Sequence, residues 1–341
     1  MFDGDVGRIL VFGAGGGGDV VSAAMVALKL REMGYETFVA SAPWERYTVD
    51  RVPGPIGLDE IVGGRRIGEH ALEVGGDAYA VRDGRRVRFQ GANVARALEE
   101  PTYVCELVRG VDGLAAGLAE IASHVGADLL LAVDVGGDIL ALGYEEGLWS
   151  PLADQMALAA AYELHRRGVV RSVVAVAAIG ADGELRRSYI IRRLCEVARA
   201  GGLLGSIGFG RGDLPVMHRL LEASITEAGR VIPEAVMGRR GVRRIRRGSR
   251  LIYIDVVSTI VFMLDVEKLY EQSRVAKLVA RSGNIEEANE AVLAHGVITE
   301  LEIERELARL GKRPEDVTSE DLLEIKRRIL ARIRPPARGK Q

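Results

Sequence analysis

The stretch Arg8-Ile9-Leu10-Val11-Phe12-Gly13-Ala14-Gly15-Gly16-Gly17-Gly18-Asp19 joins an apolar run to a multi-glycine loop, and this combination is the strongest indication of the fold. A helical pattern follows over residues 20–33, and a second apolar run covers residues 35–41. The order strand, glycine loop and helix directs backbone N–H groups and a helix N-terminus at an anion. The stretch therefore predicts an α/β unit whose loop, residues 13–19, binds a phosphate, a carboxylate or a nucleotide.

Gly13, Gly15 and Gly18 of this loop match the dinucleotide-binding pattern G-x-G-x-x-G. Six of the seven residues from 13 to 19 are Gly or Ala, so many other glycine patterns would match as well. The match alone is therefore weak evidence for a dinucleotide.

Two acidic residues distinguish the loop from an ordinary dinucleotide site. Such a site needs an acid at the end of the second strand to hold the ribose, and Glu45 reaches that position only if its loop folds back. Asp19 would repel a pyrophosphate unless a cation lay between them. We therefore favour a metal-assisted phosphate site, or a polar substrate with hydroxyl or amino groups, over plain nicotinamide binding. The purely structural alternative is a tight turn in which Asp19 caps the helix N-terminus.

Composition limits the class of protein. The 341 residues are 48% hydrophobic, enough for one large α/β domain with an appendage, and a net charge of −2 gives no sign of nucleic-acid binding. Two cysteines make neither a disulfide framework nor a metal cluster, and we identify no signal peptide and no membrane-length apolar stretch. We expect a cytoplasmic protein without a membrane partner. The seven Asn and Gln residues are an amide content typical of thermophilic proteins.

Strand-like and helical patterns alternate through residue 210, which predicts an open, mostly parallel sheet with helices on both faces. We expect this domain to cover residues 1–265, with a small β insertion or flap at residues 50–92. Residues 266–341 are predicted to form a helical extension that packs on the domain and ends in a basic tail. The extension favours a homo-oligomer, although a solvated appendage fits the pattern equally well.

A second acidic glycine loop, Asp134-Val135-Gly136-Gly137-Asp138, follows the predicted strand 129–133. In open parallel sheets ligands bind at the carboxyl ends of strands, where both glycine loops fall. Asp134 and Asp138 can present their carboxylates to one point, which suits Mg²⁺ or Mn²⁺ beside a phosphate. The pair equally suits sugar hydroxyls or an amine, and the structural alternative is a turn in which both aspartates cap backbone N–H groups.

Three further features have mainly structural interpretations. Asp182 and Asp213 lie in glycine-rich turns after apparent strands and are expected to stabilise those turns, although either could complete the acidic ring. Seven arginines within residues 239–250 could bind a polyanion, but the predicted hairpin favours an exposed, edge-protecting face. Ser150 is predicted to be the N-cap of a helix over residues 152–166.

Four segments together carry a family resemblance: residues 13–20, Pro43-Trp44-Glu45-Arg46, Pro53-Gly54-Pro55 and residues 134–138. With them the chain resembles a largely archaeal family of unknown function, domain-of-unknown-function family 1152, over most of residues 7–310. The resemblance implies a Rossmann-like α/β fold and no settled activity. The paired loops are more loosely similar to those of phosphofructokinase-type kinases, and the second loop is distantly similar to that of D-glutamate cyclase-like lyases.

The leading hypothesis is an enzyme that acts on a small phosphorylated or nucleotide ligand by phosphoryl transfer or by lyase or hydrolase chemistry. The N–H groups of residues 15–18 would bind the anion, while Asp134 and Asp138 would hold Mg²⁺ or Mn²⁺ or act as acid and base. Glu45 would contact a ribose or act as a base. The predicted ligand-binding positions are Gly13, Gly15, Gly16, Gly17, Gly18, Asp19, Gly136 and Gly137. The alternatives are an NAD(P)-dependent oxidoreductase, in which Glu45 holds the ribose, and a non-catalytic sensor.

Overall fold

The computed structural model describes residues 6–333 of the chain. Its strands are β1 (Arg8–Gly13), β2 (Glu36–Ser41), β3 (Ile61–Arg66), β4 (Ala71–Arg82), β5 (Arg85–Val87), β6 (Thr102–Cys105), β7 (Leu129–Val135), β8 (Arg171–Ala177), β9 (Leu203–Gly208), β10 (Gly241–Ile245), β11 (Arg250–Ile254) and β12 (Ile260–Asp265). Its α-helices are α1 (Asp19–Glu32), α2 (Gln90–Leu98), α3 (Gly110–Val125), α4 (Leu152–Arg166), α5 (Arg187–Arg199), α6 (Leu214–Ala223), α7 (Val231–Val236), α8 (Val266–Gln272), α9 (Arg274–Val279), α10 (Ile285–Leu293), α11 (Glu300–Leu310) and α12 (Ser319–Ile333).

Ten strands form one sheet in the order β3-β4-β6-β2-β1-β7-β8-β12-β9, with β5 pairing along β4. The five central strands, from β6 to β8 in this order, are parallel, whereas the strands at both edges are antiparallel. Strands β10 and β11 form a separate antiparallel hairpin, as predicted. The predicted α/β, Rossmann-like fold class is therefore confirmed, with a parallel centre and antiparallel edges.

The sequence of β1 explains its place in the centre of the sheet. Ile9 and Val11 pack into one hydrophobic cluster, and Leu10 and Phe12 into another, since successive side chains of a strand point to opposite faces. All four side chains are fully buried. A strand that is apolar on both faces needs a helical layer on each side, and α1 with α6 covers one face while α3 with α4 covers the other.

The two glycine loops meet because of the strand order. The chain leaves β1 for β2 on one side, while β7 lies on the other side, so the order reverses between β1 and β7. The Ala14 N–H, just after β1, donates to Val133 O near the end of β7 at 2.8 Å. In open parallel sheets such a reversal leaves a crevice at the carboxyl ends of the strands, where ligands bind.

The segment predicted as an insertion or flap, residues 50–92, forms one edge of the main sheet. Its strand β4 pairs with β6, and β3 and β5 pair with β4. Its strand β4 is continuous over 12 residues.

Ser150 is not the N-cap of α4, so that prediction was wrong. The carboxylate of Glu300, the first residue of α11, accepts hydrogen bonds from the N–H groups of Leu152 at 3.0 Å and Ala153 at 2.8 Å. The Ser150 N–H instead donates to Glu184 at 2.9 Å. An acid distant in sequence thus occupies the positive end of α4, where it stabilises both the helix and the attachment of α11.

Helices α11 and α12 pack on the α/β body through one hydrophobic cluster that includes Tyr47 and Trp149. Ile303 and Leu307 of α11 and Ile325 of α12 are buried in it. Among residues 6–333, no helix has both the length and the apolar character needed to cross a membrane. The predicted basic tail falls almost entirely outside the described residues.

Candidate functional site

A cavity of about 390 Å³ lies at the reversal point of the sheet. It is lined by the first glycine loop, by residues 44–49 after β2, by residues 225–228, by the turn of the β10–β11 hairpin and by α11 and α12. Its volume falls within the range of small-molecule sites, about 300–1,000 Å³. The cavity therefore joins the predicted phosphate loop to parts of the chain more than 200 residues away.

Backbone conformation and close packing require glycine at several positions of the first loop, as Gly17 and Gly15 illustrate. Gly17 has a φ of +62°, a backbone conformation that side chains rarely adopt. A Cβ added to Gly15 would lie 2.6 Å from Asp19 Oδ2 and 2.9 Å from Asp154 Oδ2. The bare backbone at Gly15 therefore makes room for two carboxylates.

Asp19 ties the two loops together and does not cap α1. Gly18 is the N-cap residue of α1, and Asp19 is the first helical residue. Asp19 Oδ2 accepts hydrogen bonds from the Gly15 N–H at 3.1 Å and from the Val135 N–H at 3.4 Å. The N-cap alternative was therefore wrong.

Three N–H groups of the loop stay available to an anion. Within the described part of the chain, the N–H groups of Gly16, Gly17 and Gly18 have no hydrogen-bond acceptor, whereas that of Gly15 is already bonded to Asp19. They precede the N-terminus of α1, where the helix dipole favours negative charge.

Six acidic residues converge beside the loop, and we call them the acidic cluster. They form two groups, in each of which one carboxylate oxygen per residue lies within 4.8 Å of the others. The groups are Asp19, Asp134 and Asp154, and Asp138, Asp182 and Glu184. The two predicted metal ligands fall in different groups, Asp134 with Asp19 and Asp138 with Asp182. All six are buried except Asp19, which is half-buried.

Three oxygens of the acidic cluster are buried without a hydrogen-bond partner among the described residues: Asp134 Oδ2, Asp154 Oδ1 and Asp182 Oδ2. An unpaired buried polar atom costs about 1–3 kcal/mol, and more when it is charged. A hard divalent cation with oxygen ligands supplies a partner of the right chemistry. The residues present therefore fit a Mg²⁺ or Mn²⁺ site.

Burial is the largest cause of the raised pKa values in the acidic cluster, and neighbouring carboxylates raise them further. The pKa is raised to about 7 for both Asp19 and Asp182. The pKa values of Asp134, Asp138 and Asp154 lie well above the usual range of an aspartate. A cation that binds here would compete with protons for the same oxygens.

The predicted pair Asp134 and Asp138 occupies two different depths. Asp138 lines the cavity, whereas Asp134 is fully buried and does not belong to the lining. Asp134 Oδ1 also accepts a hydrogen bond from the Gly137 N–H at 3.4 Å, as the turn interpretation requires. Gly13, Gly136 and Gly137, three predicted ligand-binding positions, likewise lie outside the cavity lining.

Glu45 lines the cavity because segment 44–49 folds back against the first glycine loop. Its two oxygens are held by Gln90, through the N–H at 2.8 Å and through Nε2 at 3.2 Å. Burial nevertheless raises the pKa of Glu45 to about 7. This value suits a general base near neutral pH.

Three arginines of the hairpin line the cavity, namely Arg246, Arg247 and Arg250. Arg247 is exposed, as predicted, but Arg246 and Arg250 are not, so the preferred interpretation as an exposed face was wrong for these two. Arg250 donates to Glu184 Oε1 at 2.8 Å, and Arg247 donates to Val317 O at 2.5 Å. Burial by itself would raise the pKa of Glu184, but Arg250 and hydrogen bonds from neighbouring donors hold this pKa below its ordinary value.

A fourth arginine, Arg46, lines the same cavity. Its guanidinium forms no hydrogen bond or ion pair with any residue in the described range 6–333. Burial, and then the positive charge of Arg250, lower the pKa of Arg46, and the carboxylates of Glu227, Asp19 and Glu184 offset this lowering only in part. An anion near these two guanidinium groups would offset their repulsion.

Sequence reasoning missed Asp154 and Glu184. Asp154 lies in the first turn of α4, outside any glycine motif, and Glu184 follows Asp182 by two residues in the turn after β8. The Asp-x-Glu spacing of that turn was the available signal for Glu184. Asp213 lies outside the cavity, where it bonds within its own turn, as predicted, and to Lys29 at 3.0 Å.

The family model described as "Protein of unknown function (DUF1152)" matches residues 10–308. The chain belongs to this family. The matched range of the DUF1152 family includes both glycine loops, the whole acidic cluster and the four cavity arginines, and it ends before α12. No curated protein and no solved structure matches the chain.

Proposed function

We propose that this protein is an enzyme that uses Mg²⁺ or Mn²⁺ to act on a small phosphorylated or nucleotide ligand, by phosphoryl transfer to an acceptor or to water. The main support for the proposal is that buried oxygens of Asp134, Asp154 and Asp182 have no hydrogen-bond partner in the part of the chain that the structure describes. Buried carboxylates of this kind either stay protonated or coordinate a cation. Their place beside a phosphate-type loop favours the cation.

The acidic cluster would hold the metal. Its oxygens are hard ligands of the kind that Mg²⁺ and Mn²⁺ prefer, and Arg250 contacts one of its six acids, Glu184, directly. When bound, a divalent cation neutralises charge on phosphoryl oxygens. The acidic cluster would also repel a dinucleotide pyrophosphate that came without a cation, which disfavours the NAD(P)-dependent alternative.

Positively charged and N–H donor groups of the cavity would bind the phosphate. The N–H groups of Gly16, Gly17 and Gly18 and the guanidinium of Arg46, none of which has a hydrogen-bond acceptor within residues 6–333, are donors for an anion. Arg250 connects the acidic side of the cavity to its basic side, because it contacts Glu184 and lies near Arg46. Glu45, with its pKa of about 7, is the proposed base that activates the acceptor.

The experiment is a Mn²⁺ titration of the purified protein followed by thermal unfolding and by phosphate release from a panel of phosphate esters. At a free Mn²⁺ concentration of 100 times its dissociation constant, we expect stabilisation by about 2.7 kcal/mol. Asp134→Asn and Asp154→Asn should lose both this stabilisation and turnover. Asp213→Asn, a buried aspartate outside the cavity, should keep both.

Three results would decide against the proposal. Equal stabilisation of Asp134→Asn, Asp154→Asn and the parent protein by Mn²⁺ would show that the acidic cluster does not bind the metal. Stabilisation by NAD(P) without any cation would favour the oxidoreductase instead. A ligand that stabilises the parent protein with Mn²⁺ but is never converted would indicate a sensor.

A further inference from the structure

The cavity has an apolar wall that no phosphate or metal ion would need. Ile303 and Leu307 of α11, Leu322 of α12 and Val317 between these helices line it together. Tyr47 and Trp149 line it too, and five of these six side chains belong to the same hydrophobic cluster. We call these six residues the apolar wall.

The apolar wall is fixed to the rest of the site. Trp44 Nε1 donates to Glu304 of α11 at 2.9 Å, and the Tyr47 hydroxyl donates to Lys312 O at 3.1 Å. Arg247 reaches from the hairpin to Val317 O. Hydrogen bonds therefore connect the apolar wall to the hairpin and to the segment after β2, which line the same cavity.

The chemistry of the wall limits the organic part of the ligand. Ile303, Leu307 and Val317 offer no polar side-chain atom, and the hydroxyl of Tyr47 is already bonded to the backbone. Sugar hydroxyls against this wall would lose their hydrogen bonds to water without replacement. The wall therefore suits a group with an apolar surface.

Polar groups elsewhere in the cavity limit the class of ligand further. Thr226, Ser249 and Glu304 line the same cavity, with Thr226 against Gly18 of the glycine loop and Glu304 next to Ile303 in α11. The Trp149 ring already has the Arg250 guanidinium 4.9 Å from its centroid, so cationic and aromatic groups meet here. An aromatic heterocycle, with apolar faces and a polar edge, matches this mixture better than an aliphatic chain does.

We propose that the ligand is a nucleoside phosphate whose base lies against the apolar wall while its phosphates lie between the glycine loop and the cavity arginines. This proposal rests on the proposed function for the phosphate group of the ligand, and it adds that the organic part of the ligand is a nucleoside. Helices α11 and α12 would then determine which phosphate esters the protein accepts.

Tryptophan fluorescence gives a direct readout, because Trp44 and Trp149 are the two tryptophans of the chain and both line the cavity. The probes are ADP, GDP, CDP and UDP, compared with inorganic pyrophosphate, glucose 6-phosphate and geranyl diphosphate, each with Mn²⁺. We expect the best nucleoside diphosphate to bind about ten-fold or more tightly than any of the other three compounds. Equal or tighter binding of one of those three compounds would overturn the proposal.

A matched pair of variants tests the wall itself. Leu307→Gln places an amide in the wall and should weaken the best nucleotide about ten-fold while leaving pyrophosphate unchanged. Leu310→Gln, in the same helix and packed on the same cluster but outside the cavity lining, should change neither. Should Leu307→Gln fail to fold, Val317→Thr makes the same test at nearly constant volume. An unchanged preference for the nucleotide in the folded wall variant would contradict the proposal.

The two proposals can fail separately. Binding of Mn²⁺ and pyrophosphate without any preference for nucleotides would overturn this inference and leave the proposed function standing. Tight nucleotide binding that needs no cation would support the apolar wall and overturn the metal-dependent function.

Discussion

Arg250 and Glu184 form a buried ion pair in which Nη1 lies 2.8 Å from Oε1, with side chains 10% and 1% exposed. The pair connects the arginine-rich hairpin to the turn after β8 and thereby to the acidic cluster. It keeps one acid of the cluster ionised while burial raises the pKa values of the others. The two charged halves of the cavity are thus joined through one guanidinium group.

Removal of that guanidinium leaves a buried carboxylate without its partner. Arg250→Met should therefore lower the free energy of unfolding by about 3–5 kcal/mol. Arg244→Met, at an exposed position of the same hairpin, should change it by less than about 0.5 kcal/mol. Urea unfolding measures both. The double variant Glu184→Gln, Arg250→Met should recover part of the loss, and no recovery would show that packing, not charge, explains the effect.

The stability of the metal-free protein should fall as the pH rises. Burial raises the pKa of Asp19 and Asp182 to about 7 and the pKa values of Asp134, Asp138 and Asp154 well above their ordinary range. In the unfolded chain these carboxyl groups titrate near pH 4, so between about pH 4 and pH 7 the folded state binds more protons. The free energy of unfolding therefore decreases across this window and beyond.

Urea unfolding in EDTA at several pH values between 5 and 8 measures this decrease in the free energy of unfolding. Comparison with a variant and with added Mn²⁺ tests its cause. Asp154→Asn, which removes one buried charge, should reduce the slope and be more stable than the parent protein at the upper end. Added Mn²⁺ should stabilise the parent protein more as the pH rises, because it binds the deprotonated carboxylates. A pH-independent stability would contradict the burial of these acids.

Glu300 should contribute to stability through α4. Its carboxylate accepts two N–H groups in the first turn of that helix, so Glu300→Ala should cost about 1–2 kcal/mol of unfolding free energy. Glu300→Gln keeps an acceptor oxygen and should cost less. Glu290→Ala, at an exposed position of α10, is the control and should have little effect. Equal losses for the Ala and Gln variants would argue against the capping role.

Gly15→Ala should damage the site more than the fold. The new methyl group would press on the Asp19 and Asp154 carboxylates and displace them, so the affinity for Mn²⁺ should fall roughly 10–100-fold. Gly212→Ala, where an added Cβ meets nothing within 4 Å, should bind Mn²⁺ normally. Calorimetric titration compares the two variants, and unchanged affinity in Gly15→Ala would mean that these two carboxylates do not bind the metal.

The centre of the fold was predictable because its signals are local. The apolar run of β1, its glycines and the helical pattern after them require no distant contact to be recognised. The meeting of loops 13–19 and 134–138 also followed, since both come at the carboxyl ends of parallel strands. The edge position of β3 and β4 did not follow, because strand pairing between β4 and β6 depends on tertiary contacts.

The parts of the site that sequence reasoning missed arrive from distant segments. Asp154 lies on a helix whose N-terminus is capped by Glu300, almost 150 residues further along the chain. No local motif distinguishes Asp154 from an ordinary helical aspartate. The hairpin arginines carried a visible signal, but only the packing of the hairpin on the cavity separates Arg250 from its exposed neighbours.

Anomalous scattering from crystals grown with Mn²⁺ shows directly whether the acidic cluster binds a divalent cation. We expect an anomalous difference peak at a coordination distance of about 2 Å from carboxylate oxygens of at least two members of one group, either Asp19, Asp134 and Asp154 or Asp138, Asp182 and Glu184. A fully Mn²⁺-loaded crystal with no peak among these carboxylates would contradict this expectation.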